Sequence, residues 1–190
     1  MTAIKTRRLT LIPLSQQQLE LCLSDLPTLS RELAVSIADT VVDEPAQRAI
    51  KLKLEKMARA IPPRHPWYTY WLIVINEQQC GAGLVGFKGY PNEQGQVEIG
   101  YGLDPAFRNH GYMSEAVQAI TEWALAAPEC ISMIVAEVHK TNLASIRVLQ
   151  KTGMAIYHET DNSLYWRITK AMPNKKPASE NTGLTEANFS

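Results

Sequence analysis

Val97-Glu98-Ile99-Gly100-Tyr101-Gly102-Leu103-Asp104, then Pro105-Ala106-Phe107, then Arg108-Asn109-His110-Gly111-Tyr112-Met113-Ser114-Glu115, is the stretch whose reading decides the fold. Its first part alternates as a strand does, since successive side chains point to opposite faces. Val97, Ile99, Tyr101 and Leu103 share one face; Glu98, Gly100, Gly102 and Asp104 share the other. Glycines inside a strand weaken it and often mark the close approach of a ligand or of another backbone. That face therefore reads either as the floor of a cleft with Glu98 at one end, or as a bulge or helix crossing with Glu98 solvated. The second part turns from loop into helix. A helix N-terminus presents unpaired N–H groups and the positive end of the dipole, which suit phosphate oxygens. Gly111 lets backbone approach a pyrophosphate with no Cβ in the way. Arg108 can serve such a phosphate or a surface ion pair.

Upstream, residues 9–14 read as a strand closed by Pro13, and Ser15 can cap a helix carrying Leu19, Leu21 and Leu23. Residues 44–60 have a helical apolar stripe of Ile50, Leu54 and Met57. The prolines at 62, 63 and 66 forbid its continuation. Residues 67–75 and 80–90 form a hairpin across Asn76-Glu77-Gln78-Gln79, and residues 96–104 add a third strand to make a meander. Downstream, residues 111–127 are helical on the stripe Ala116, Val117, Ile120 and Ala124. Residues 131–138 are a strand, residues 142–151 a second helix with Gly153 as its cap, and residues 155–160 and 163–169 a closing hairpin. An antiparallel meander followed by strand–helix–strand crossovers predicts a mixed α/β sheet.

Length and composition narrow the class. At 190 residues the chain predicts one domain over residues 1–172, with a disordered tail over 173–190, which is poor in large apolar residues. Hydrophobic residues are 45% and charged residues 20%, ordinary for a globular protein. Lys+Arg and Asp+Glu are both 19, so the basic excess of a nucleic-acid binder is missing. No apolar run has the length of a membrane span, and the start of the chain lacks a signal peptide's apolar core. The expectation is a cytoplasmic protein with no membrane and no nucleic acid among its partners. Cys22, Cys80 and Cys130 read as small core residues. His65, His110, His139 and His158 have no metal-ligand spacing, so no metal is expected.

Residues 97–116 and Asn142-Leu143-Ala144-Ser145-Ile146-Arg147-Val148-Leu149-Gln150-Lys151-Thr152-Gly153-Met154 together resemble the GNAT superfamily of acyl-CoA-dependent N-acyltransferases. The shared pattern is Arg108-x-x-Gly111-x-Met113 before Ser114-Glu115-Ala116, with an Asn-x-x-Ser helix downstream. The opening Thr6-Arg7-Arg8-Leu9-Thr10-Leu11-Ile12-Pro13-Leu14 resembles the branch of ribosomal-protein N-terminal alanine acetyltransferases. The resemblance runs from about residue 6 to 170.

It implies acetyl-CoA as acyl-donor cosubstrate, lying where the strand of Glu98 splays from the strand after it. Its pantetheine arm would pair with backbone at Tyr101, Gly102 and Leu103. Its pyrophosphate would sit on Arg108, Asn109, His110, Gly111, Tyr112, Met113 and Ser114. An amine then attacks the thioester directly. Neutralising an α-amino group at pH 7 costs about 1 kcal/mol and a lysine about 4–5, so one carboxylate acting through water suffices for the easier case. Glu98 is the candidate base. The resemblance carries two departures. Met113 stands where the pattern has Gly or Ala, so its side chain must point away from phosphate. Leu149 stands where many relatives have a Tyr that protonates the leaving thiolate, and Ser145 is the substitute donor. Ser145 also has a helix-packing role open to it, and Asn142 can cap its helix, contact pantetheine, or do both. Lys140, Arg147 and Lys151 are positioned either for the adenosine 3′-phosphate or for solvent. The acceptor is an amine on a protein N-terminus or a small molecule, and the protein a monomer or homodimer. The alternative is a non-catalytic acyl-CoA-binding or sensing module.

Overall fold

The computed structural model describes residues 2–129 and 132–170. The expected tail, Cys130 and Ile131 lie outside those residues. The chain begins with β1 (Ile4–Lys5), β2 (Leu9–Pro13), α1 (Gln16–Ser24), α2 (Leu26–Leu33) and β3 (Ser36–Ile37). A 3-10 turn, Asp39–Val42, leads into α3 (Glu44–Met57), and the short α4 (His65–Tyr68) precedes β4 (Tyr70–Ile75). Then come β5 (Cys80–Phe87), β6 (Gln96–Leu103), α5 (Tyr112–Ala126), β7 (Met133–His139), α6 (Leu143–Lys151), β8 (Ala155–Glu159) and β9 (Ser163–Thr169).

The predicted elements form where expected, with local causes. Ser15 and Gln18 make a reciprocal capping box on α1, and the Asp43 carboxylate caps α3. The first hairpin strand starts at Tyr70 rather than Trp67. The prolines at 62, 63 and 66 each fit the first turn of a helix, where the missing N–H costs nothing, so the segment coils before it extends. Trp67 is still core, packed on Phe87 and Trp123.

The strands form one sheet in the order β1-β2-β4-β5-β6-β7-β9-β8, with β3 added beside β5. All pairings on that path are antiparallel except β6–β7, which is parallel. Alternation along the strands sends their side chains into two cores. Ile73, Val85, Val97 and Ile99 join Ala116, Val117 and Ile120 of α5 in one. Leu72, Val74 and Leu84 join Leu19, Ile50 and Met57 of α1 and α3 in the other. The helices therefore cover both faces, and the parallel junction lies inside the sheet, between its fifth and sixth strands.

That junction opens. β6 and β7 pair only at Gln96↔Met133, Val97↔Ile134 and Glu98↔Val135. Beyond Glu98, β6 stays on β5 as far as Leu103↔Gly83, and β7 stays on β9 as far as His139↔Ser163. The two central strands splay apart with both outer neighbours still attached, leaving a wedge at the C-terminal end of β6.

Candidate functional site: a cleft between two splayed strands

The wedge is a cavity of about 630 Å³, within the range of small-molecule sites. One bank is Tyr101, Gly102 and Leu103 of β6 with Arg108, Asn109 and residues 111–114; the other is Asn142, Ala144, Ser145, Arg147, Val148 and Lys151 at and along α6. The structure thus brings together every sequence-predicted cofactor residue except His110, whose ring stacks on Tyr112 beside the loop. A Cβ on Gly100 or Gly102 would meet nothing within 4 Å. The two glycines bare the backbone to open space, which supports the cleft reading over a tight crossing.

The loop before α5 is shaped by two left-handed residues, Asn109 at φ 66° and Gly111 at φ 78°. Asparagine and glycine are the residues that adopt this conformation most readily. Gly111 is the N-cap and supplies no side-chain acceptor, so the first N–H groups of α5 are left without a cap inside the protein. With the dipole of a 15-residue helix behind them, they are disposed for anionic oxygens. Met113 resolves its departure as expected: it is 7% exposed and packs in the core.

A clamp that sequence reading missed holds this loop from outside. Glu115 accepts from Thr6 Oγ1 at 2.6 Å, Arg8 N at 2.9 Å and Arg8 Nε at 2.7 Å. Arg8 also donates Nη1 to the His110 carbonyl at 2.9 Å and lies over the Tyr112 ring, 4.7 Å from its centroid. Burial pushes the Glu115 carboxyl up, but the Thr6 hydroxyl, the Arg8 amide and the Arg8 guanidinium outweigh it and hold the group below the ordinary value. The signal was present in Arg8 and Glu115 as parts of two quoted motifs, but pairing them across more than 100 residues needs the sheet.

On the α6 side, Asn142 Oδ1 accepts from Ser145 N at 3.1 Å, capping the helix while still facing the cleft. Leu149 is fully buried in the main core and does not line the cavity. The Tyr101 hydroxyl crosses to α6 and donates to the Ser145 carbonyl at 3.4 Å. Burial pushes the Tyr101 phenol up to about 12, partly offset by that hydrogen bond. Sequence reading used Tyr101 only for its backbone and missed this reach.

Glu98 lies outside the cavity lining, at the point where the strands part. Its half-buried carboxylate pairs with the Lys88 ammonium. Behind that pair, Lys53 Nζ is buried and donates to the carbonyls of Thr69 at 3.1 Å and Phe87 at 2.6 Å. Burial pulls Lys53 down to about 7, with the charge of Lys56 adding to it. A second cavity of about 280 Å³ shares Tyr101, Gly102, Leu103 and Arg108 with the first and is walled by Thr40, Asp43 and Tyr70. Asp104 lines it too, nearly buried, accepting from the Thr40 hydroxyl and from Ala106 N. Among the described residues no group of three or more His, Cys, Asp or Glu side chains is placed to hold a metal. No helix there is long and apolar enough to cross a membrane.

Residues 8–155 match the family model of the acetyltransferase (GNAT) domain. The uncharacterized N-acetyltransferase YjdG of Bacillus subtilis strain 168 is 35% identical over 96 residues, which are 50% of this chain and 56% of that protein. This chain therefore spans about half the length of the curated relatives it matches. The ribosomal-protein-S5-alanine acetyltransferase of Vibrio fischeri superposes with a TM-score of 0.62 at 17% identity, covering 93% of this chain and 100% of that one. The ribosomal L7/L12 alpha-N-protein acetyltransferase RimL in complex with coenzyme A gives 0.61 at 17%, covering 88% and 98%. These two likenesses speak for the fold.

Proposed function

Because the chain belongs to the GNAT acetyltransferase family, we propose that it transfers the acetyl group of acetyl-CoA directly to a primary amine, on a protein N-terminus or a small molecule. The observation that carries this is the wedge beyond Glu98, bared at Gly102 and ending on the uncapped N-terminus of α5. The donor set fits the cosubstrate. The β6–β7 ladder stops at Glu98, so backbone at Tyr101 is left to pair with the amide groups of pantetheine, while the Leu103 carbonyl accepts from Arg108 Nε at 3.2 Å. The loop of residues 108–114 offers N–H groups to the pyrophosphate. Arg147 and Lys151, one turn apart on the opposite bank, add positive charge for further phosphate.

The chemistry then needs two proton movements. The amine gives up a proton to become nucleophilic, and Glu98 takes it through a water. The amine nitrogen bonds to the thioester carbon, the carbon–sulfur bond breaks, and the second proton that the nitrogen sheds on becoming an amide goes to the departing thiolate. A free thiol has a pKa of about 8.5, so the leaving sulfur needs a hydrogen-bond donor more than a strong acid. Ser145 supplies that donor from the α6 bank, lining the cleft with no hydrogen-bond partner for its hydroxyl among the described residues.

The test is acetyl-CoA-dependent thiol release across peptide and small-molecule amines, with Glu98→Gln as control. General-base catalysis is worth roughly 10²–10⁴-fold, so the variant should lose that much kcat and keep its affinity for CoA. A second reading, a module that binds acyl-CoA without turning it over, is favoured by the Lys88 ammonium already occupying the Glu98 carboxylate. Equal background thiol release from wild type and Glu98→Gln, for every amine, would decide for that module.

A further inference from the structure

We propose that the groove leading from Glu98 past the C-terminal end of α3 docks an acidic peptide segment, the residues that follow the amine to be acetylated. The inference rests on the reading of Glu98 as the base, and it concerns the path by which an acceptor reaches it.

Glu98 opens onto a cavity of about 430 Å³ whose walls include Lys56, Tyr68, Lys88 and Tyr90. A second cavity of about 490 Å³ shares Lys56 and Tyr68 with it and continues to Arg59 and Arg64. Four cations thus line the joined groove, and Glu98 is the one carboxylate among its lining residues. The chain as a whole has equal numbers of acidic and basic residues, so the imbalance is local. Only Lys88 of the four has a carboxylate partner among the described residues. Lys56 spends one donor on the Lys88 carbonyl at 2.7 Å, and an ammonium has three. Arg64 lies over the Tyr90 ring at 4.2 Å, which fixes the guanidinium without neutralising it.

The simplest structural account of such charges is the negative end of a helix dipole. It covers Lys56, in the last turn of α3. It does not cover Arg59 and Arg64, because the helix ends at Met57 and the effect fades within the last turn. A single-sign cleft instead raises the local concentration of a counter-charged partner and speeds its encounter. The occupant is a peptide rather than a lone acidic amine because the cavities stand in series. Each has room for a residue-sized group, and the two meet at Lys56 and Tyr68. The flat rings of Tyr68 and Tyr90 give an extended backbone its apolar walls.

Three C-terminally amidated hexapeptides test this, sharing a small first residue and differing in whether positions 2–5 are acidic, amide-bearing or basic. At low salt kcat/KM should fall from acidic to neutral to basic, by on the order of tenfold per step, and the spread should shrink as added salt shortens the screening length. The double variant Arg59→Glu with Arg64→Glu should reverse the order while leaving CoA affinity and turnover of a small neutral amine unchanged. Equal rates for the three peptides, an order that survives in the double variant, or faster acetylation of free glutamate than of the acidic peptide would each overturn the proposal. Fluorescence anisotropy of the same peptides, labelled at the C-terminus and added to CoA-saturated protein, separates docking from chemistry. Charge-selective, salt-sensitive binding without any transfer would defeat the transferase reading and leave the groove standing; binding blind to charge would overturn the groove.

Discussion

The two banks of the wedge are built in opposite ways. The β6–α5 bank is locked: β6 is paired along β5, Met113 sits in the core, and Arg8 ties the loop to β2 through Glu115. The α6 bank is light. Of its nine helical residues only Leu149 is buried, and its cap is one side-chain hydrogen bond from Ser145 N to Asn142. Helices this short are marginal in water without packing. The difference assigns labour. A pyrophosphate is recognised by a fixed constellation of N–H groups, which gains from being rigid before the ligand arrives. On the proposed reading pantetheine enters between the banks, which is easier when one of them can give.

The strongest way to break the contrast is to remove the single anchor of the light bank. Leu149→Ala deletes a fully buried side chain and should cost about 2–5 kcal/mol of stability, the usual range for such cavities. Thermal unfolding measures it, and CoA should restore part of the lost stability by binding the folded form. If CoA rescues Leu149→Ala no better than wild type, α6 is not the compliant bank.

Loosening the rigid bank should do less to stability and more to cofactor binding. Arg8→Gln removes a charge-assisted pair and the tether to the His110 carbonyl, worth roughly 1.5–3 kcal/mol where the partner is charged. Isothermal titration should show CoA affinity reduced by about tenfold or more, since about 1.4 kcal/mol is a factor of ten. The pH dependence has a definite sign. The Glu115 carboxyl is held below its ordinary 4.5 in the folded state, so its contribution is complete above pH 4.5 and is lost as pH falls further. Arg8→Gln should flatten that acid limb. An unchanged CoA affinity would mean that the loop keeps its shape without the clamp.

The same contrast explains what was legible in the sequence. The loop before α5 and the bare strand were readable because glycine, a helix start and alternation are local signals: Gly102 and Gly111 line the wedge, and a Cβ on Gly100 would meet open space. Asn142 was readable as a cap for the same reason. The Arg8–Glu115 clamp was not, because its partners meet only once β2 and α5 are assembled over the sheet. Nor was the fate of Leu149. A helical register says that it shares a stripe with Ser145 and Ile146, while only packing decides which of them faces the core. The coiling of residues 62–68 was missed because prolines were read as stops, although at a first turn they are also starts.

The smallest expected effect discriminates most finely, because it asks which bank serves the leaving sulfur. Tyr101 and Ser145 face each other across the cleft, joined by the long hydrogen bond from the Tyr101 hydroxyl to the Ser145 carbonyl. If the Ser145 hydroxyl is the donor, Ser145→Ala should lower kcat by about tenfold, the worth of one hydrogen bond to a charged group. Tyr101→Phe should then change kcat by less than about threefold and stability by about 0.5–1 kcal/mol, since a neutral bond of that length is weak. Its signature lies at high pH. The unfolded phenol loses its proton near 10, whereas the folded one keeps it to about 12, so stability falls as pH rises through that window. Replacing Tyr101 by Phe should remove part of that fall, visible as the difference between the two proteins in denaturant melts at pH 9 and pH 11. The opposite pattern in kcat, with Ser145→Ala near wild type and Tyr101→Phe strongly slowed, would move the donor to the rigid bank and leave α6 with binding alone.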